Sequence, residues 1–219
     1  MISVLMPSRG RASMWFNNLI QASNKAKTNP EFLVYIDNDD PQLEEYKSYL
    51  PKLGHIDLVF IVDEPKRSAI ALKYLTTKAK HDFFIFGTDD LDWRTDGWDE
   101  KLISKMPKHG LSVVYPASIP DNKIKARIPF FTRKWMEITG LFPDDFIHFG
   151  ADGWVVKIAE SANTEIFAYD VEILHKKLND KTSIRARING TGNWKTIVNS
   201  RMPEIVEIGK KVRAAIDAD

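Results

Sequence analysis

The stretch FFIFGTDDLDW, residues 83 to 93, sets three carboxylates, Asp89, Asp90 and Asp92, within four positions directly after an apolar run. Carboxylates so close together repel one another unless a cation or strong hydrogen-bond donors intervene. A hard divalent ion, Mn²⁺ or Mg²⁺, removes the repulsion, because it takes oxygen ligands and bridges carboxylates to phosphate oxygens. A solvated, aspartate-rich turn before the next helix would present the same residues. In that reading Asp92 caps local backbone, or Asp99 does similar work nearer the helix start. His175 closes a second apolar run, VEILH, and is followed by Lys176 and Lys177. Imidazole can complete a mixed N/O metal site and the lysines can neutralise a diphosphate. Taken alone, it also reads as a surface or packing histidine.

These groups act together only if secondary structure gathers them. Ile2 to Met6, ended by Pro7, reads as a buried first strand, followed by a helix at about 13 to 24 with Ser13 as its N-cap and Phe16, Leu19, Ile20 and Ser23 on one face. Phe32 to Ile36 and Leu58 to Val62 are further apolar runs. Between them Leu43, Tyr46 and Leu50 mark a short helical surface. A helix begins at Ser68, and Phe83 to Phe86, with no polar alternation, requires cover on both faces, as at the centre of a mostly parallel sheet. In open parallel sheets the ligand lies outside the carboxyl ends of the strands, where Ser8, Arg9, Asp37, Asp39, Asp89 and Asp90 converge.

The second half is less regular. A helix at about 97 to 106, a strand at Val113 to Tyr115, a short helix with Trp135 and Met136 closed by Gly140, and a helix with Val155 to Ala159 are expected, with Ile166 to Ala168 and Val171 to Leu174 as strands or edge segments. Residues 178 to 193, polar and with two glycines, read as a mobile loop, and a helix from about 203 docks Ile205, Ile208, Val212, Ala215 and Ile216 on the body. One α/β domain spanning 1–219 is expected.

Composition narrows the class. The chain of 219 residues is long enough to bury a core without disulfides, and with Cys 0 it has neither a thiolate nucleophile nor a cysteine-ligated zinc site. Lys+Arg 31 against Asp+Glu 30 leaves a net charge of +1, which gives no basic excess for a phosphate backbone, so no specific nucleic-acid partner is expected. No segment approaches about 20 uninterrupted apolar residues, so no spanning helix is expected, and MISVLMPSRG does not read as a signal peptide. A cytoplasmic enzyme fits these properties.

The order of these motifs resembles the family-2-like glycosyltransferases with the GT-A fold. SVLMPSRGR resembles that family's first strand and the loop that brings Pro7, Ser8 and Arg9 under the nucleotide. YIDNDD, residues 35 to 40, resembles the second strand, and on that basis Asp37 faces the base with Asp39 nearer the ribose. RSAIALKYLTTKAKHDFFIFGTDDLDW resembles the helix, strand and DxD region, with Arg67 approaching the nucleotide. The literal tripeptide is Asp90-Leu91-Asp92, while strand alignment puts Thr88 at the first acidic position and Asp90 at the last; Asp90 ligates metal in either register, Asp92 is the secondary choice, and Asp89 contacts ribose or holds the loop. GLFPDDFIHFGADGWVVKIAE, residues 140 to 160, resembles the stretch ending in the family's Glu-Asp pair, with Ala151 in place of the Glu and Asp152 matching the Asp as general base. His175 fits the later metal-binding histidine. The resemblance covers most of residues 2 to 177 and implies a Rossmann-like sheet flanked by helices, a nucleotide-sugar donor with a preference for UDP, Mn²⁺ or Mg²⁺ on Asp90, Asp92 and His175, and a hydroxyl acceptor of unspecified kind.

Transfer from such a donor requires the leaving diphosphate to be stabilised, by metal and by Lys176, Arg185 or Arg187 if the 178 to 193 segment folds inward. An inverting enzyme also requires a base. Asp152, at the start of a helix, suits either that role or an ordinary capping role. Trp93, Trp98, Trp135 and Trp154 could line a sugar site or pack the core. Two rivals share these features: a nucleotidyltransferase, although Pro7-Ser8-Arg9-Gly10-Arg11 offers only one glycine for a phosphate loop, and a non-catalytic nucleotide- or carbohydrate-binding module.

Overall fold

The computed structural model of the chain describes residues 1–118, 128–144, 146, 150–176 and 194–219. Its elements in chain order are β1 (Ile2–Ser8), α1 (Ala12–Lys25), β2 (Glu31–Asp37), α2 (Leu43–Tyr49) continued by a 3₁₀ turn (Leu50–Leu53), β3 (Leu58–Asp63), α3 (Ser68–Lys78), β4 (Phe83–Phe86), β5 (Leu91–Trp93), α4 (Trp98–Lys105), β6 (Val113–Ala117), β7 (Phe130–Thr132), α5 (Arg133–Thr139), α6 (Ala151–Ala162), β8 (Glu165–His175), α7 (Trp194–Ser200) and α8 (Met202–Asp217). The expected segment 178 to 193 lies outside the described residues, as do Lys177, Arg185 and Arg187.

The strands form one sheet in the order β3-β2-β1-β4-β7-β6-β8-β5. β3, β2, β1 and β4 are parallel, as are β6 and β8, while β7 and β5 run antiparallel to their neighbours. The unalternating run Phe83 to Phe86 is a central strand, with β1 on one side and β7 on the other. All seven residues of β2 are buried, as a strand covered on both faces requires. Residues 165 to 175, expected as two segments, make one strand whose register against β6 shifts at Pro116/Ala117.

Two apolar layers enclose the sheet. α1, α2 and α4 cover one face through Trp15, Leu19, Tyr46, Trp98 and Leu102; α3, α5, α6 and α8 cover the other through Leu72, Trp135, Trp154, Ile205 and Val212. The first helix begins at Ala12 with Arg11 as its N-cap, not at Ser13, and it buries Ala12, Trp15, Asn18, Leu19 and Ala22. Its inward stripe therefore includes a polar side chain that hydrophobic periodicity passes over. α8 packs on α6 so closely at Gly209 that a Cβ there would lie 2.5 Å from Ser161 Oγ. No helix among the described residues is long and apolar enough to cross a membrane.

Asp99 does not contribute to the acidic turn. It is fully buried at the start of α4 and accepts from the amides of Lys27 (2.9 Å) and Thr28 (2.7 Å) and the Thr28 hydroxyl (2.6 Å), clasping the loop after α1. These hydrogen bonds hold its carboxyl below the ordinary carboxylate range against the opposing effect of burial. Asp99→Ala leaves three donors without their acceptor and is expected to cost about 3 kcal/mol, a fall in Tm of roughly 6–12 °C, measured by thermal melts. Because the folded pKa is depressed, Asp99's contribution is present above the unfolded pKa and lost as pH falls through the folded one, so the difference between variant and wild type should shrink in acid.

Candidate active site

The carboxyl ends of β1, β2 and β4 meet at one edge of the sheet, and the acidic turn after β4 is drawn against β1. The Gly87 amide donates to Leu5 O at 2.7 Å, and a Cβ at Gly87 would stand 2.8 Å from Val4 Cγ1. Only glycine lets the turn lie this close. From the other side, buried Asn18 of α1 donates to the carbonyls of Thr88 (3.2 Å) and Leu91 (2.8 Å) and accepts from Trp93 Nε1 (3.0 Å).

The three aspartates then take different directions. Asp89 is buried, accepting from Ser8 Oγ and Arg11 Nη1, both at 2.7 Å. Burial pushes its carboxyl up to about 6; Arg11 and the two hydrogen bonds pull it down, and neighbouring Asp90 adds to the rise. Asp89 thus holds the loop. Asp90 accepts from Thr88 Oγ1 at 2.6 Å, and its oxygens stand 3.7 Å from His175 Nε2 and 3.8 Å from Arg11 Nη1. Asp92 turns instead toward Gln21 Nε2 (2.8 Å) and Arg94 Nε (2.9 Å), which occupy both its oxygens. Of the three expected metal donors, Asp90 and His175 therefore face each other, while Asp92 faces Gln21 and Arg94.

Strand pairing brings Asp90 and His175 together. β5 runs antiparallel to β8 with Leu91 opposite His175, and the Lys176 amide donates to Asp90 O at 2.8 Å. Two ligand bonds of about 2.1 Å span at most about 4 Å, so the observed 3.7 Å separation lets one ion touch both groups. No cluster of three or more His, Asp or Glu side chains suited to a metal occurs among the described residues. A two-donor set nevertheless fits Mg²⁺ or Mn²⁺, which in nucleotide sites takes one or two protein ligands with the remainder from phosphate and water.

At the end of β2, Arg9 bonds Asp37 (2.7 Å) and Asp39, while Asp37 also accepts from the Lys66 amide (3.0 Å). Asp40 accepts from the amides of Gly10 (2.8 Å) and Gln42 (2.7 Å) and shapes the same loop. Pro7 lies within β1, paired with Tyr35, and Arg67 is exposed as the N-cap of α3. A cleft of about 460 Å³ adjoins the turn, lined by Gly10, Arg11, Ser13, Met14, Asn17, Gln42 and Lys176. Two of these side chains are cations.

Asp152 occupies the first turn of α6, next to Ala151. It keeps an exposed face, yet the protein crowded around its carboxyl pushes the pKa above the ordinary value; backbone amides at Gly153, Asp152 and Gly150 and the charge of His175 pull it back. His175 is thus within electrostatic reach of both Asp90 and Asp152. The tryptophans are core residues: Trp93, Trp98, Trp135 and Trp154 are each at most 1% exposed, with Trp93 against Trp98 and Trp154 against Phe146. Arg11, Tyr46 and Asn18 are not singled out as site residues by spacing, since their partners lie 35 to 78 positions away.

No protein-family model and no curated protein sequence matches the chain. Solved structures do. A mannosyltransferase from Pyrobaculum calidifontis, PcManGT, in complex with GDP-Man and Mn²⁺, superposes with a TM-score of 0.71 at 15% identity over 99% of this chain and 75% of that one. The chain has the GT-A glycosyltransferase fold. GalNAc-T7 with UDP, GalNAc and Mn²⁺ shares the GT-A arrangement at a TM-score of 0.70 and 11% identity over 98% of this chain, which spans about half (54%) of that longer one. S. aureus TarS in complex with UDP-GlcNAc gives 0.64 and 11% over 94% and 70%. Within the GT-A fold the described cleft lies at the carboxyl edge of the parallel strands, where open α/β sheets bind ligands.

Proposed function

We propose that the protein is a glycosyltransferase that moves a sugar from a nucleoside-diphosphate sugar to a hydroxyl acceptor. The observation that carries this reading is the placement of Asp90 and His175 3.7 Å apart at the ligand-binding edge of a GT-A fold. Asp90 and His175 would hold a Mn²⁺ or Mg²⁺ ion, which when bound acts as a Lewis acid toward the departing diphosphate. Structural neighbours carrying GDP-Man, UDP and UDP-GlcNAc support the donor class, and UDP-sugars are the first donors to test.

The chain's own residues then divide the work. Arg9 neutralises Asp37 and Asp39, so the base and ribose meet an ion-paired unit at the end of β2, with Arg67 nearby on the α3 side. Arg11 and Lys176 line the cleft with positive charge for the diphosphate, and Asp89 orients Arg11. Asp152 accepts the proton of the attacking hydroxyl in an inverting transfer, a role favoured by a pKa raised above that of an ordinary carboxylate.

Titration calorimetry with UDP and GDP, with Mn²⁺ and then with chelator, tests the proposal. Binding at least about tenfold tighter with metal is the expected result. Product analysis separates the classes: nucleoside diphosphate with a transferred sugar supports this reading, pyrophosphate indicates nucleotidyl transfer, and metal-independent binding without turnover indicates a binding module.

A further inference from the structure

Beneath the acidic turn lies a closed ring of hydrogen bonds in which Tyr46 is a member that the proposed chemistry does not use. The Arg11 amide donates to the Tyr46 hydroxyl at 3.0 Å, and the Tyr46 and Ser8 hydroxyls are 2.7 Å apart. Ser8 Oγ donates to Asp89 Oδ2 at 2.7 Å, and Arg11 Nη1 closes the ring on Asp89 Oδ1 at 2.7 Å. Direction follows from the proton count. Ser8 has one hydroxyl proton, committed to Asp89, so Tyr46 donates to Ser8 and accepts from Arg11. Burial raises the phenol's pKa above its ordinary value, which keeps that proton in place near neutrality.

The ring joins the end of β1, the loop after it, α2 and the turn after β4. Tyr46 is fully buried, its ring 5.3 Å from that of Trp15, and it does not line the cleft. Its hydroxyl instead fixes both ends of Arg11: the backbone directly, and the guanidinium through Ser8 and Asp89. Arg11 lines the cleft, and its guanidinium stands 3.8 Å from Asp90 Oδ2.

We infer that Tyr46 is a positioning residue of the donor site, holding Arg11 beside Asp90 so that its charge faces a ligand diphosphate. The inference rests on the proposed function for the identity of that ligand. A phenyl ring without the hydroxyl cannot serve. Both the Arg11 amide and Ser8 would lose a partner, so the backbone end of Arg11 loses its side-chain anchor and the guanidinium is left to its contact with Asp89.

Tyr46→Phe keeps the aromatic ring and removes only the hydroxyl. Binding of UDP or GDP, whichever the wild type takes with Mn²⁺, is expected to weaken about tenfold, while the parent nucleoside, measured by competition, stays within about twofold of wild type because it lacks the phosphates Arg11 meets. Arg11→Gln should weaken the diphosphate at least as much, and the double variant no more than Arg11→Gln alone, since both act through one guanidinium. Equal losses for nucleoside and diphosphate, additive losses in the double variant, or unchanged binding by Tyr46→Phe would each overturn the positioning role while leaving the glycosyltransferase reading intact. A wild-type protein that binds no nucleoside diphosphate overturns both. Thermal melts check folding, and should Tyr46→Phe not fold, Ser8→Ala breaks the next link of the ring with the same expectation.

Discussion

Asp90→Asn is expected to abolish the coupling between Mn²⁺ and nucleoside-diphosphate binding and to lower sugar transfer at least about a hundredfold, since a metal ligand's loss removes several kcal/mol of charge stabilisation. The substitution is nearly isosteric. The amide oxygen of the variant side chain would still accept from the Thr88 hydroxyl, which now lies 2.6 Å from Asp90, and the turn remains tied down by Gly87 and Asn18, so the fold should persist. What disappears is the negative charge opposite His175 Nε2, the group that makes a shared cation favourable. Calorimetry with and without chelator, paired with a transfer assay, reads both effects. The same metal enhancement in variant and wild type would reject Asp90 as a ligand. Asp92→Asn is the internal comparison: its carboxylate is engaged by Gln21 and Arg94, so the coupling should change little.

The parallel half of the sheet was legible because Phe32 to Ile36, Leu58 to Val62 and Phe83 to Phe86 are uninterrupted apolar runs and Ile2 to Met6 is broken only at Ser3, a pattern expected of strands covered by helices. β1, β2, β3 and β4 lie where those runs fall. β5 and β7 were not, because Leu91–Trp93 and Phe130–Thr132 have three residues each, too few to show a period. That omission matters for the site. The antiparallel register of β5 on β8, invisible in spacing, is what sets Leu91 opposite His175 and so brings Asp90 to the imidazole. Similarly, Tyr46 reads in sequence as one apolar position of a short helix, and hydrophobic periodicity passes over Asn18; each acquires its role from partners on other elements. Asp92 shows the converse. Its neighbours in sequence suggest a ligand, and its neighbours in space are an amide and a guanidinium.

Asp152→Asn is expected to lower transfer about 10²–10⁴-fold, the usual worth of a positioned base, while donor affinity changes little. Gly150 is the N-cap of the helix and Asp152 stands in its first turn, where asparagine keeps a hydrogen-bonding oxygen and loses only a favourable charge, so a purely structural Asp152 predicts nearly normal activity. The pH profile separates the roles further. With its pKa raised by burial, the carboxyl becomes a competent base only above the ordinary carboxylate range, so wild-type kcat/KM should rise with pH through that raised pKa and then level, and the variant's residual rate should lack this limb. Stability runs the opposite way. A carboxyl whose folded pKa is raised contributes stability below its unfolded pKa and loses it as pH rises through the folded one, so the non-ionising variant should melt no lower than wild type at neutral pH. Activity lost without loss of stability marks a charge kept for chemistry. Equal transfer with the same pH limb in both proteins would return Asp152 to capping and would fit a retaining mechanism, which has no need of this base.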